Sequence, residues 1–344
     1  MIPFESADPE WVWGDGPQSD IVISTRARLA RSLAEYPFPS RCSEQDSNMV
    51  VRDVSAASAR LGDRFPGLRT ISMDRLSQAR KQYLLDAHLI SYEQTQNRFG
   101  TAVLLEPTGA LSIMVNEEDH LRIQALKSGL MPQQVWELAD WADDVLSESL
   151  HYGFSSRYGY LTADVSNVGT GLRVSVLMHL AGLAWKNRVA SQLRAAYDLG
   201  VSVRGLFGEI SRPVGDFYQV SNEATLGLTE RDIVQRVSSM AQYLLEEERL
   251  ARKELLDNQR TRLIEQSRRA LEVMSHSRSI SAEKAITLMS PLRLGAAIGL
   301  VDGCSQRLMN ELLAGMRVSA GDDMDAGIER AELLRNKLAD IYAG

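Results

Sequence analysis

The spacing of apolar and polar positions changes several times along this chain, and each change marks an element. Asp46 to Leu61 and Met73 to Asp86 carry apolar residues at helical spacing, with Pro66-Gly67 as the break between them. Two scaffold helices are expected there. Ala102 to Leu105 and Leu111 to Val115 are short apolar runs separated by Pro107-Thr108-Gly109, the pattern of a hairpin. Beyond it the pattern predicts an amphipathic helix over Ala139 to Leu150, a strand over Tyr158 to Thr162 leading into Asp164, and a helix over Leu177 to Leu199. Strands are then expected over Val201 to Phe207 and Phe217 to Val220. One stretch resists assignment: Ile21 to Arg31, after the Gly16-Pro17 turn signal, fits a strand delivering Arg26, Arg28 and Arg31 to its end. It fits equally a helix with a basic face. Interspersed strands and helices with hairpin connections favour an α+β domain built on an antiparallel sheet.

From Thr229 the pattern turns to long helical runs, with Glu246 to Glu265 dense in Glu, Arg and Leu. Ser281 is a plausible cap for a further helix, and Gly321 to Gly327 reads as an acidic loop before a last one. Two domains are therefore expected, 1–255 and an all-helical 256–344.

Composition narrows the function classes. The 344 residues are 44% hydrophobic and 24% charged, ordinary for a globular protein with a sizeable core. A net charge of -7 argues against general nucleic-acid binding, so any phosphate site must be local. Cys42 and Cys304, far apart, suggest neither a disulfide framework nor zinc. An acidic N-terminus without a signal pattern, and no apolar run long enough to span a bilayer, point to the cytoplasm.

The densest chemistry lies in Val115-Asn116-Glu117-Glu118-Asp119-His120-Leu121-Arg122, three carboxylates, an imidazole and a guanidinium after an apolar run. Alone it reads as a solvated turn. Asn167-Val168-Gly169-Thr170-Gly171-Leu172-Arg173 and Arg204-Gly205-Leu206-Phe207-Gly208-Glu209 repeat the form of apolar residues followed by glycine and charge. Arg26, Arg28, Arg122, Arg173 and Arg204 in one site would suit a polyphosphate, because guanidinium forks match phosphate oxygens and keep their charge. No Gly-x-x-x-x-Gly-Lys loop or protein-kinase signature is present to do that work. Glu118 and Glu209 would then oppose the phosphates unless magnesium or a cationic substrate intervened, and a guanidinium acceptor fits between them. His88, judged locally, is a packed or capping residue.

Those blocks resemble the guanidino phosphotransferase (phosphagen kinase) family across about residues 18 to 250. Val115 to Arg122 is similar to its Asn-Glu-Glu-Asp-His-Leu-Arg block, Asn167 to Arg173 to its glycine loop and arginine, and Arg204 to Glu209 to its arginine-to-glutamate loop. Within the family the chain is most similar to the bacterial protein arginine kinases of the McsB type: it begins almost directly at the Arg26 motif, reads Arg-Gly-Leu-Phe-Gly-Glu, and has a helical C-terminal region. Enzymes acting on free guanidino compounds carry an additional N-terminal helical domain, and its absence implies an open site able to take an arginine on a protein. The resemblance implies a catalytic domain of mostly antiparallel sheet flanked by helices. It implies ATP with Mg2+, the five arginines on its phosphates, His88 against adenine, and Glu118 and Glu209 clamping the acceptor. It also implies arginine-bearing protein substrates, an activator protein, protease-chaperone machinery, a link to regulated degradation or stress, and a homodimer through the C-terminal helices.

The chain departs from the family twice. Where the family has cysteine beside the acceptor, the sequence reads Thr162-Ala163-Asp164-Val165-Ser166-Asn167, so Asp164 keeps an anion with different chemistry. A cap for the glycine loop is the equal alternative for Asp164. The C-terminal Arg-Asp-x-x-Arg-Ala motif that recognises phosphoarginine is here Ala326-Gly327-Ile328-Glu329-Arg330-Ala331, which argues against that regulation. A kinase of free guanidino compounds and an idle relative that binds arginine-bearing partners are the competing expectations.

Overall fold

The computed structural model describes residues 8–96, 99–205, 213–316 and 324–342. Its strands are β1 (Val22–Arg31), β2 (Arg69–Ser72), β3 (Ala102–Leu105), β4 (Leu111–Val115), β5 (Leu121–Ser128), β6 (Phe154–Ser155), β7 (Gly159–Tyr160), β8 (Leu172–His179), β9 (Val201–Gly205) and β10 (Phe217–Asn222). Eight of them form one sheet in the order β2-β3-β4-β5-β1-β8-β10-β9, every neighbour antiparallel. The remaining two, β6 and β7, pair as a small hairpin. The expected hairpin is present: β3 and β4 pair from Ala102 opposite Val115 to Leu105 opposite Ser112. The open question at Ile21 to Arg31 is decided for a strand, with β1 at the centre of the sheet between β5 and β8.

The helices are α1 (Glu44–Ala57), α2 (Gln78–Asp86), α3 (Tyr92–Thr95), α4 (Pro132–Ser147), α5 (Ala181–Trp185), α6 (Val189–Asp198), α7 (Glu230–His276), α8 (Ala282–Ala297), α9 (Gln306–Ala314) and α10 (Met324–Tyr342). Their starts follow local chemistry. Ser43 with Asp46 and Thr229 with Asp232 form reciprocal capping boxes, and Ser281 accepts from the Lys284 amide. Pro132 opens α4 at a position where its missing N–H costs nothing.

One expected element is corrected. Leu177 to Leu199 is not a single helix: Leu177 to His179 end β8, and α5 and α6 follow with a left-handed Asn187 between them. Its apolar run fits a buried strand as well as a helix, and pairing with both β1 and β10 decides the matter. The last helix starts at Met324, inside the stretch expected to be loop, whereas residues 321–323 lie outside the described ones.

One face of the sheet is apolar. Leu29, Ile113, Ile123, Val174 and Val220 lie there in one core with residues of α1, α4 and the first half of α7. A second core joins Trp11, Ile23, Leu126 and Phe217 to α8, α9, α10 and the end of α7, so the C-terminal helices pack directly against the sheet. Helix α7 runs through residue 255 and breaks its helical geometry at Gln259. Among the described residues no helix is long and apolar enough to cross a membrane.

Candidate functional site

Strand pairing explains how residues far apart in sequence reach one surface. Side chains alternate across a strand, so directly paired residues share a face. Arg28 pairs with Gln124 on β5 and with Arg173 on β8, and Arg26 pairs with Leu126 and Ser175. Arg122 stands opposite Ala30, and Arg204 opposite Gln219, which keeps both on the same face as Arg26 and Arg28. The register therefore gathers five of the expected arginines on the face opposite the main core. Arg31, an odd number of residues from Arg28, points the other way.

Arg122 is paired with Glu117 and Glu118, whereas others of these guanidiniums lack the anions they need. Among the described residues neither Arg26 nor Arg28 has a hydrogen-bond or ion-pair partner, and Arg173 Nε is buried without one. Burial, then Arg122 and Arg173, lowers the Arg26 pKa to about 10. Burial, then Arg26, Arg122 and Arg173, pushes Arg28 well down, with Glu117 pulling the other way. Arg173 is lowered by burial and then by Arg204 and Arg122. Mutual repulsion in a half-buried place is tolerable only if an anion arrives to relieve it. A triphosphate has the right charge.

The turn between β4 and β5 carries the acidic block. Asn116 takes a left-handed backbone (φ 55°), and its Nδ2 donates to the Ser47 and Gly100 carbonyls at 2.9 and 2.7 Å, which locks the turn. Glu117 is buried and accepts from Arg122 Nη1 at 2.5 Å and from Ser91 Oγ. Asp119, also buried, accepts from Ser32 Oγ at 2.6 Å and from the Ala163 amide at 2.7 Å. His120 Nδ1 accepts from the Leu33 amide at 3.0 Å, and burial holds its pKa down at about 4. Glu118 alone of the three carboxylates is open, its side chain 42% exposed with Arg122 Nη2 at 3.2 Å. Its pKa is raised, first by burial and then by Asp164, Glu117 and Asp119, with Arg122 opposing. A carboxylate so placed is a better proton acceptor than an ordinary one. The sequence singled out this block but not its division of labour, in which Glu117, Asp119 and His120 hold the frame.

Asp164 caps the turn that follows it. Its Oδ1 accepts from the Ser166 amide at 2.9 Å and its Oδ2 from Ser166 Oγ at 2.6 Å, and these bonds lower its pKa. Its charge also raises the pKa of Glu118, and Arg122 and Arg173 help to lower its own. The adjoining loop needs its glycines: at Gly169 (φ 116°) a Cβ would lie 2.4 Å from the Thr225 carbonyl, and at Gly171 (φ 64°) 2.6 Å from that of Ala30.

His88 sits just past α2 with a left-handed backbone (φ 59°), its ring 5.3 Å from Trp11 and its pKa brought down to about 4 by burial and Arg26. It is therefore neutral near pH 7. Glu209 lies outside the described residues, whose nearest strand ends at Gly205.

Residues 49–251 match the family model described as "ATP:guanido phosphotransferase, C-terminal catalytic domain". The chain belongs to this family. Residues 260–343 match "Protein-arginine kinase McsB C-terminal domain". A protein named protein-arginine kinase from Pelotomaculum thermopropionicum is 38% identical over 98% of this chain and 97% of its own. One of the same name from Halothermothrix orenii is 38% identical over 95% and 96%. Among solved structures, a lombricine kinase superposes with a TM-score of 0.61 at 24% identity, over 71% of each chain. A duplicated taurocyamine kinase from Schistosoma mansoni gives 0.59 at 26% identity, over 71% of this chain and 34% of its own. The family makes this protein a phosphotransferase, and its kinase chemistry draws on ATP. The structural neighbours agree with the antiparallel sheet flanked by helices.

Proposed function

We propose that this enzyme transfers the γ-phosphoryl group of ATP to arginine side chains of proteins, giving phosphoarginine and ADP. The observation that carries the reading is Arg26 and Arg28, left without partners among the described residues, on the face that also carries Arg122 and an open Glu118. Arg26, Arg28, Arg122, Arg173 and Arg204 would hold the phosphates, and the orphaned Arg173 Nε supports that fit. Phosphoryl transfer depends mainly on alignment and charge stabilisation, so a fixed row of guanidiniums supplies most of what the reaction needs. Glu118, with Glu209, orients the acceptor guanidinium and takes the proton its nitrogen sheds as the N–P bond forms and the bond from phosphorus to the ADP oxygen breaks. Burial raises the affinity of Glu118 for that proton. Asp164 would face the acceptor as a second anion while capping its own loop. His88, neutral and flat, suits adenine.

Mg2+ would arrive on the nucleotide phosphates, supplying charge neutralisation there. Among the described residues no group of three or more His, Cys, Asp or Glu could cage a metal ion. The division into a catalytic domain at 1–255 and a helical domain at 256–344 is supported by the break at Gln259, while the second core packs the C-terminal helices against the sheet. We further propose a cytoplasmic enzyme linked to regulated degradation or stress control, working with an activator protein and protease-chaperone machinery, as the family resemblance implies. Exposed Met324 and Ile328 on α10 support a homodimer through the C-terminal helices. Regulation by phosphoarginine has less support: buried Arg330 donates to the Ile280 carbonyl at 3.1 Å, and a Cβ at Gly327 would lie 2.5 Å from Ser279 Oγ.

The test is incubation with ATP, Mg2+ and a mixed protein substrate, followed by mass spectrometry for acid-labile phosphate on arginine, beside a parallel assay on free arginine. Phosphoarginine on protein is the expected result. Product from free arginine alone would instead make this a small-molecule kinase.

A further inference from the structure

A single turn of 3-10 helix, Glu10–Trp13, lies between the C-terminal helices and the His88 side of the site. Trp11 is buried, and its indole Nε1 donates to the Ala87 carbonyl at 2.9 Å while its ring meets the His88 ring at 5.3 Å and 50°. His88 needs such support, because a histidine with φ 59° occupies backbone space unfavourable to a side chain. From below, Gln124 Nε2 donates to the His88 carbonyl at 2.7 Å, and Gln124 is the register partner of Arg28. The His88 conformation is thus fixed from one side by the arginine face and from the other by Trp11.

Trp11 is itself held from the C-terminal region. Asn310 on α9 is wholly buried and its Nδ2 donates to the Trp11 carbonyl at 3.3 Å. The amide is oriented by Arg293 on α8, whose Nη1 donates to Asn310 Oδ1 at 2.8 Å and whose Nη2 donates to the Ser19 carbonyl at 3.1 Å. Glu10 is anchored separately, through Lys127 Nζ at 2.8 Å and the Thr108 carbonyl. Apolar packing alone would not need these polar groups, each costly to bury unless its hydrogen bonds are made. They run in a line from α8 through α9 and Trp11 to His88.

We infer that Trp11 is a positioning residue for nucleotide, through which α8 and α9 of the C-terminal region set the His88 conformation and hence the affinity for ATP. The inference rests on the reading that His88 faces the adenine. It gives the helical region a direct handle on catalysis: whatever shifts α9 by a fraction of a hydrogen bond changes nucleotide binding without touching the acceptor carboxylates.

The test is calorimetric titration of the full-length protein with ADP and with a non-hydrolysable ATP analogue, together with steady-state kinetics. Trp11→Phe keeps the ring contact and loses the indole bond. Asn310→Asp keeps an acceptor for Arg293 and turns an oxygen toward the Trp11 carbonyl. Each is expected to weaken nucleotide binding by about three- to tenfold, the usual size of coupling through a packed network. The KM for the protein acceptor should stay unchanged. His88→Ala should weaken nucleotide binding as well, and Trp11→Phe should add nothing to it, since both act at one point. If His88→Ala weakens binding whereas neither Trp11→Phe nor Asn310→Asp does, the adenine reading stands and the inference is overturned, leaving Trp11 a packing residue. If His88→Ala is without effect, the adenine reading falls, and the inference with it.

Discussion

Strand β1 carries arginines to both faces of the sheet, and the two sets live in opposite conditions. Arg31 points into the main core, where its Nε and Nη2 reach Asp143 Oδ2 at 2.9 and 2.6 Å, Glu230 lies at 3.7 Å, and its guanidinium stacks 3.6 Å from the Tyr160 ring centre. Although burial opposes the charge, these anions raise its pKa. Arg26 and Arg28 point to the other face, beside other arginines, and their pKa values fall. The same residue type three positions away is finished in one case and waiting in the other. A cation whose carboxylate is built into the fold serves stability, whereas a cation left among cations marks where a ligand brings the missing charge.

The hardest way to break this comparison is to remove one waiting cation. Arg28→Ala should lower kcat/KM by about 100- to 1,000-fold, the usual cost of deleting one preorganised charge donor at a transition state. The melting temperature should hold or rise, because an unpaired buried charge is gone. A loss below tenfold would end the phosphate reading of that face. Glu118→Gln tests the carboxylate beside it and should lower turnover by about 100-fold or more with nucleotide affinity unchanged, as expected for a group that handles the acceptor proton. Wild-type turnover would remove Glu118 from the chemistry.

On the finished side, Arg31→Ala should destabilise by about 3–5 kcal/mol, since it strands the buried Asp143 without its partner. Denaturant titration measures this. Arg31→Met combined with Asp143→Leu should recover part of the loss; no recovery would mean that Arg31 contributes through Tyr160 and the Thr170 carbonyl rather than through charge.

The smallest effect is a pH dependence. His88 and His120 have folded pKa values near 4, below the ordinary histidine value of about 6.5. As pH falls below about 6.5 the unfolded chain takes up those protons first, so their contribution to stability is complete above 6.5 and declines toward pH 4. Unfolding midpoints between pH 7 and 5 should therefore drop more steeply in the wild type than in His120→Asn. Equal slopes would mean that the imidazole titrates alike in both states.

Much of this protein was legible in its sequence because the information was local. Ser281 announces its helix by chemistry that acts within four residues, and Pro107-Thr108-Gly109 announces its hairpin in the same way. The motif blocks were readable too, since Arg26, Arg28, Glu118, Arg122, Asp164, Arg173 and Arg204 stand in short runs of recognisable composition. What the sequence could not decide depended on partners far along the chain. Whether Ile21 to Arg31 is strand or helix turned on pairing with residues about a hundred and a hundred and fifty positions away, and the ending of β8 at His179 on pairing with Phe217, about forty positions on. Only the register separated Arg31 from Arg26 and Arg28, because a period of two sends neighbours to opposite faces while composition is blind to faces. Only packing gave Glu117, Asp119 and His120 their partners and left Glu118 open, and only the approach of α9 to Glu10–Trp13 tied the last hundred residues to His88. A sequence fixes the chemistry each residue can offer; the tertiary structure decides which offers are taken up internally and which are left for a ligand.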